Sequence, residues 1–432
     1  MKKLYVFSFL LILSTSNVFS QSGWFQLSSP TNRTIYTVFF NSIDTGYIGT
    51  DSGKVYKTLN GGVNWISINL STTKPIGKII FVSPNIGYLL CYNSNGQDVI
   101  FKSTNGGLNW SMISIPYYTY PEDIYFINLN TGYVANFTNV LRTSNGGMSW
   151  DTLRAEFPST GTIQYYGVFF KNSQTGYVVG GHQYPNVFNN RVIWQTVNGG
   201  QNWSRVNTLS GCEYLRISFL NEVTGYSVGG CNFISKTTNG GSTWNAVNLN
   251  LSGSYANLGS LQIINSNKVF TCGRWGLYNT NNGGTNWSLI QIPYESYREI
   301  SFPGDSIGYV VGEFGRIFKT TNGGTALYIS TISSQIPQSF SLHQNYPNPF
   351  NPVTKIQFQI PLLRGVSEGR GVFTKILIYD LLGREVTTLV SEQLKPGTYE
   401  VEWDGTGFAS GVYFYSLITS DYVETKRMVL VK

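Results

Sequence analysis

One short phrase, Thr-x-Asn-Gly-Gly-x-x-Trp, constrains the fold of this 432-residue chain more than any other feature, because it recurs at a nearly fixed period. It first runs from Thr58 through Asn60 to Trp65. It returns with Asn105 and Trp110, Asn145 and Trp150, Asn198 and Trp203, Asn239 and Trp244, and Asn282 and Trp287. A seventh copy, around Asn322, has Leu327 where the others have Trp. Asn-Gly is the strongest short signal for a hairpin, since both central residues of a type I′ turn need positive φ. The phrase therefore predicts structural turns, with the Asn carboxamide and the preceding Thr or Ser hydroxyl bonding loop amides while the Trp covers each turn.

A second landmark precedes each phrase: Gly46-Tyr47, Gly87-Tyr88, Gly132-Tyr133, Gly176-Tyr177, Gly225-Tyr226 and Gly308-Tyr309, with Phe270 in the sixth repeat. Between the landmarks lie β-branched and aromatic runs such as Val38-Phe39-Phe40, Ile79-Ile80-Phe81 and Ile317-Phe318-Lys319, bounded by turn residues, which read as strands. Each repeat of about forty residues holds four such strands, denoted a to d, and four strands repeated radially make a β-propeller blade. The expectation is an all-β chain with a seven-bladed β-propeller over residues 21–328. Trp24 stands alone before the first repeat, and the last repeat lacks its Trp. Residues 24–29 are therefore expected to supply the outer strand of the seventh blade, closing the ring and removing open sheet edges.

The phrase resembles the Asp-box of sialidases and of the photosystem II assembly-factor and neuraminidase-repeat propellers, Ser/Thr-x-Asp-x-Gly-x-Thr-Trp. The resemblance covers residues 22–328. This chain carries Asn60, Asn105, Asn145, Asn198, Asn239, Asn282 and Asn322 where that family usually has Asp. A neutral amide is a poorer ligand than a carboxylate for a hard cation, so no metal or other cofactor is expected.

The first twenty residues pair Lys2 and Lys3 with an apolar run from Leu4 to Leu13 and a small-residue exit at Val18-Phe19-Ser20. This reads as a signal peptide, residues 1–20, too short to span a membrane, and no later transmembrane segment is evident. Removing Lys2 and Lys3 takes the formal charge from +7 to +5. Residues 339–432 balance nine Lys/Arg against nine Asp/Glu, which leaves 18 basic and 13 acidic side chains on the repeats. That dilute excess reads as solvated surface and not as the clustered stripe of a nucleic-acid binder. A monomer is expected.

A sialidase-like reaction requires an Arg cluster, a Tyr nucleophile with a Glu partner, and an acidic Asp. Counting from each Trp to the start of the next innermost strand gives Thr37, Lys78, Asp123, Gly167, Arg216, Ser260 and Glu299. This ring at the channel mouth holds two cations and two anions, not three arginines. It suits mutual pairing, or a ligand site. The pairs Glu122-Asp123 and Glu295/Glu299 are candidate acid–base carboxylates. The only histidines, His182 and His343, leave little material for a His-based triad or metal site.

Binding finds more support. Strand order puts the d-to-a and b-to-c loops on the face opposite the Asn-Gly-Gly turns, and length variation concentrates there, as in the stretch from Tyr177 to Asn198. Tyr118, Tyr120, Tyr165, Tyr166, Tyr184 and Tyr297, with His182 and Arg298, lie in or beside these loops. Exposed Tyr offers rigid amphipathic area for a glycan or protein. Cys212 precedes the first strand of the fifth blade and Cys231 follows its second. A hairpin turning near Glu222 brings them opposite, so a Cys212–Cys231 disulfide is expected; Cys91 and Cys272 read as buried small apolar residues.

After Thr331 the period stops. Residues 329–338 read as a linker, and alternating runs such as Lys375 to Tyr379 and Gly411 to Ile418 predict a small immunoglobulin-like β-sandwich over 339–432. Its motifs are AsnTyrProAsnProPheAsnPro from Asn345, TyrAspLeuLeuGlyArgGluVal from Tyr379, AlaSerGlyValTyrPheTyr from Ala409 and the terminal LysArgMetValLeuValLys. They make this segment similar to the type A C-terminal sorting domain of the type IX secretion system. The resemblance implies the secretion machinery as partner, and a secreted or outer-membrane-surface destination. The expected function is a non-catalytic binding or adhesion module for an extracellular glycan or protein. The alternative is a sialidase-like or other glycoside hydrolase.

Overall fold

The computed structural model describes residues 18–21, 23–91, 99–113, 115, 121–136, 139–153, 163–182, 191–207, 211–249, 257–293, 296–324, 327–333, 335–362, 371–405 and 408–432. Two compact units emerge: Trp24–Gly323, and Gly324–Lys432 with the start of the chain.

Among the described residues, seven four-stranded antiparallel sheets build the first unit. In the first, Ile35–Phe40, Gly46–Thr50, Val55–Thr58 and Ile66–Ile68 follow one another as strands a to d. Five more sheets repeat that order, with a strands at Ile76–Phe81, Pro121–Phe126, Ile163–Phe170, Tyr214–Phe219 and Leu258–Ile263. The seventh takes Tyr297–Ser301, Gly308–Gly312 and Ile317–Thr320 as a to c, and its d strand is Trp24–Gln26, with Trp24 opposite Thr320. The a strands neighbour one another in a cycle in which the seventh meets the first. The chain thus closes with a strand from its other end, as the unpaired Trp predicts. The b strands are buried throughout, as at Gly46–Thr50, whereas d strands such as Ser111–Ile113 face water.

The repeat phrase forms one turn many times over. Thr58 Oγ1 donates to Asn60 Oδ1 at 3.0 Å and accepts the Gly62 N–H at 2.9 Å, while Asn60 Oδ1 accepts the Asn64 N–H at 2.8 Å. The same hydroxyl-to-Asn bond recurs at Asn105, Asn145, Asn198, Asn239, Asn282 and Asn322. Positive φ falls on both glycines, 64° and 86° at Gly61 and Gly62, and not on the Asn. This corrects the type I′ expectation: the Asn holds the turn through its side chain, and Gly-Gly supplies the left-handed backbone.

Each turn is also clamped by the preceding blade. The Tyr47 hydroxyl donates to the Gly106 carbonyl at 2.7 Å, Tyr88 to Gly146 at 2.9 Å, Tyr133 to Gly199 at 3.0 Å and Tyr226 to Gly283 at 2.8 Å. Tyr309 donates to Gly61 at 3.1 Å, carrying the clamp across the seam. A cation joins it at several carbonyls: Lys57 and Lys102 Nζ reach Gly106 and Gly146 at 2.7 Å, and Lys236 reaches Gly283 at 2.6 Å. In the sixth blade Phe270 has no hydroxyl, and Lys268 Nζ reaches Gly323 O at 3.0 Å. Part of the basic excess read as solvated surface is therefore fixed between blades, and burial lowers the pKa of Lys57 and Lys268.

In the second unit, the strands Val18–Gln21, Leu327–Ser333, Gly397–Asp404, Val353–Ile360 and Ser341–Leu342 lie in that order in one sheet. Glu385–Leu394, Val372–Tyr379, Gly411–Ile418 and Val423–Leu430 form another. One apolar core is shared by both, including Ile329, Phe358, Trp403, Tyr415 and Met428. The motif residue Asn345 is buried, donating to the Thr354 hydroxyl at 2.9 Å and, from its backbone, to the Tyr415 hydroxyl at 2.8 Å. The stretch 329–338 differs from the expected linker. Ile329 stands opposite Val401 and Thr331 opposite Tyr399, because the β-prone run Leu327–Ser333 has a sheet edge to join.

Candidate binding site at the strand starts

The a strands carry the same irregularity at the same place. Registers shift between Ile35 and Thr37, Ile76 and Lys78, Pro121 and Asp123, Tyr165 and Gly167, Tyr214 and Arg216, Leu258 and Ser260, and Tyr297 and Glu299. Each shift is a β-bulge that leaves one residue out of the ladder: Tyr36, Gly77, Glu122, Tyr166, Leu215, Gly259 and Arg298. Gly180 and Gly273, opposite the residues that precede two of the bulges, show why the b strand needs a small residue there. A Cβ on either meets the carbonyl oxygen of Gln164 or Asn257 at 1.9 Å.

The residue after each bulge is the sequence-predicted ring, and it staples blades together. Thr37 Oγ1 accepts the Ile79 N–H at 3.1 Å, Asp123 Oδ2 the Val168 N–H at 3.2 Å, Ser260 Oγ the Ile300 N–H at 3.2 Å, and Glu299 Oε2 the Val38 N–H at 3.1 Å. In each case an oxygen of one blade takes the same backbone donor of the next. Glu299 also accepts from the Thr37 hydroxyl and pairs with Lys78. Arg216 bonds the carbonyls of the out-of-ladder residues Tyr166 and Leu215 at 2.8 and 2.7 Å, fixing two bulges. Lys78, Asp123, Arg216 and Glu299 are thereby occupied by the scaffold, and Asp123 and Glu299 are buried.

The bulged residues meet the b-to-c turns at one end of the sheets, since Leu258 pairs with Gly273 and Tyr297 with Gly312. Arg298 stacks over the Tyr36 ring at 5.2 Å and pairs with Glu313 at 2.8 Å, and the Ser296 hydroxyl donates to Glu313 at 2.9 Å. The Tyr166 hydroxyl donates to Gln164, and its pKa is pushed well up, first by burial and then by the Glu213 and Glu122 charges.

Two expected contact residues are corrected. Tyr165 and Tyr297 are buried in the cores between blades. Each immediately precedes a bulge and keeps the ladder's inward orientation, so the next residue, Tyr166 or Arg298, takes the mouth. Tyr118, Tyr120, Tyr184 and Glu295 lie outside the described residues, as does the His182 side chain; the His182 backbone pairs with Ile163. Cys212 and Cys231 form a disulfide with Cα atoms 5.8 Å apart, and Cys91 and Cys272 are buried. Sequence reading put the b-to-c loops on this face without singling out those of blades six and seven, where Trp275 and Phe314 are 39% and 70% exposed. Their signal was an aromatic beside Gly and Arg, in Arg274-Trp275-Gly276 and Phe314-Gly315-Arg316.

Residues 344–432 match the family model described as "Secretion system C-terminal sorting domain", and residues 102–212 match "Photosynthesis system II assembly factor YCF48". No curated protein matches the chain. Among solved structures, "YCF48 bound to D1 peptide" is 17% identical, with 69% of this chain and 96% of that one covered and a TM-score of 0.53. YCF48 from Cyanidioschyzon merolae is 19% identical, with 69% and 98% covered and a TM-score of 0.54. PorZ, a bacterial surface component of the type-IX secretion system of Porphyromonas gingivalis, is 13% identical, with 94% of this chain and 60% of that one covered and a TM-score of 0.53. At such identities the likeness establishes a shared fold. The sorting tail supports export to the cell surface or beyond. No helix among the described residues is long and apolar enough to cross a membrane.

Proposed function

For a chain that joins a propeller with YCF48-like repeats to a secretion-system C-terminal sorting domain, we propose a non-catalytic binding module that takes an extracellular glycan or protein at the mouth formed by the bulges and b-to-c turns. The sorting domain engages the secretion machinery, and a leader ending at Ser20 brings the chain to it. One observation carries the reading. The carboxylates best placed for acid–base work, Asp123 and Glu299, accept backbone N–H groups of neighbouring blades. A general acid or base must reach a substrate proton, and these oxygens are committed to holding the ring. The residues at the mouth, by contrast, lie outside the ladder, so their identities are free to serve recognition.

The mature chain, residues 21–432, on a glycan array beside a panel of chromogenic glycosides tests this. Retention without release of chromophore is expected. Sustained release by the wild-type chain, lost in Glu299→Gln, overturns it.

A further inference from the structure

Phe314 is the anomaly of the loop face. It sits at φ 57° and ψ 30°, and its ring is 70% exposed. A bulky L-residue in the left-handed region is strained. A ring left mostly in water returns little packing to offset that strain, and such outliers cluster at functional sites. Phe314 is also one of three aromatic rings paired with arginine on adjoining elements. The guanidinium of Arg316 lies 5.7 Å from the Phe314 centroid, that of Arg274 5.3 Å from Trp275, and that of Arg298 5.2 Å from Tyr36.

These pairs share a rigid platform. A β-bridge joins Arg274 to Ser296, and Ser296 contacts Glu313 through its hydroxyl at 2.9 Å. The blade-six turn is tied by the Tyr278 hydroxyl to the Trp275 carbonyl at 2.9 Å, and the blade-seven turn by the Arg316 N–H to the Glu313 carbonyl at 3.3 Å. Among the described residues of these two turns and the strand start between them, three arginines stand with two carboxylates, Glu313, which pairs with Arg298, and Glu299, which pairs with Lys78.

We infer that Tyr36, Arg274, Trp275, Arg298, Phe314 and Arg316 bind a uronate-bearing polysaccharide. This rests on the binding-module reading and adds the ligand class. A uronate ring offers an apolar C–H face to the exposed Trp275 and Phe314 rings and a carboxylate to the guanidinium forks beside them. An acidic peptide satisfies the arginines but supplies no flat face to cover Phe314 and Trp275.

The test measures binding of the full chain to polygalacturonate, with dextran as neutral polymer and polyglutamate as a charge-only control. Polygalacturonate is expected to bind, and to bind roughly tenfold more weakly after Arg274→Ala with Arg316→Ala. Phe314→Gly should weaken it similarly while the melting temperature holds or rises, because glycine accepts the same φ. Absence of polygalacturonate binding, equal affinity in these variants, or equally tight binding of polyglutamate overturns the inference. Dextran binding that these substitutions leave unchanged overturns the ligand class and keeps the binding module; glycoside turnover removes that module reading itself.

Discussion

At the scale of single residues, the exchange of Tyr for Phe270 shows how closely the repeat specifies its contacts. Six blades present a tyrosine hydroxyl to the next turn, and the sixth in sequence presents Lys268 instead. Lys268→Met removes that donor from Gly323 O. It should cost about 1 kcal/mol and lower the melting temperature by a few degrees. Adding Phe270→Tyr should restore much of the loss, since the missing hydroxyl then returns; a double variant no more stable than Lys268→Met would show that the clamp contributes nothing. The same tyrosines set an alkaline limit. Burial raises the Tyr47, Tyr88 and Tyr177 hydroxyls from 10.0 to about 12. A phenol whose pKa is higher folded than unfolded favours the fold in its neutral form. Its contribution is whole below pH 10 and is lost as pH climbs to about 12. Unfolding followed by circular dichroism should therefore begin above pH 10 and coincide with the part of the tyrosinate absorbance that is lost when Tyr47, Tyr88 and Tyr177 are replaced by Phe. That part appearing well before unfolding would contradict it.

At the scale of elements, the ring is closed by three residues, Trp24–Gln26, on the strand Ile317–Thr320. A chain beginning at residue 32 leaves that strand edge open and exposes Phe270 and Phe302, which pack edge-on against Trp24 at 6.1 and 5.8 Å. It should melt at clearly lower temperature or aggregate; stability equal to the full propeller would refute the closure. This strand was legible because a missing Trp at one end matched a spare one at the other, and Cys212 and Cys231 were legible because hairpin geometry placed them. The bulges were not. Tyr165 and Tyr166 are equivalent in composition, and only the register shift between Tyr165 and Gly167 decides which is core and which faces the mouth. The legible trace was the glycine opposite, at Gly180, Gly229, Gly273 and Gly312, where backbone comes too close for a side chain. Likewise, residues 329–333 read as part of a linker because a strand on a sheet formed by distant segments carries no local turn signal.

At the scale of the whole molecule, the repeat phrase and the proposed recognition face occupy opposite ends of the blades. The Asn-Gly-Gly turns are consumed by Tyr and Lys clamps, and the ring carboxylates by backbone donors. What remains variable is the far end, with its bulges, its arginines and the exposed Trp275 and Phe314. Hydrogen exchange by mass spectrometry, with and without the glycan that the array returns, reads both ends in one measurement. The account predicts added protection in peptides covering residues 273–276, 296–299 and 312–316, and none in the turns around Asn60, Asn105 or Asn145. Protection gained at those turns, with the b-to-c turns unchanged, would contradict it.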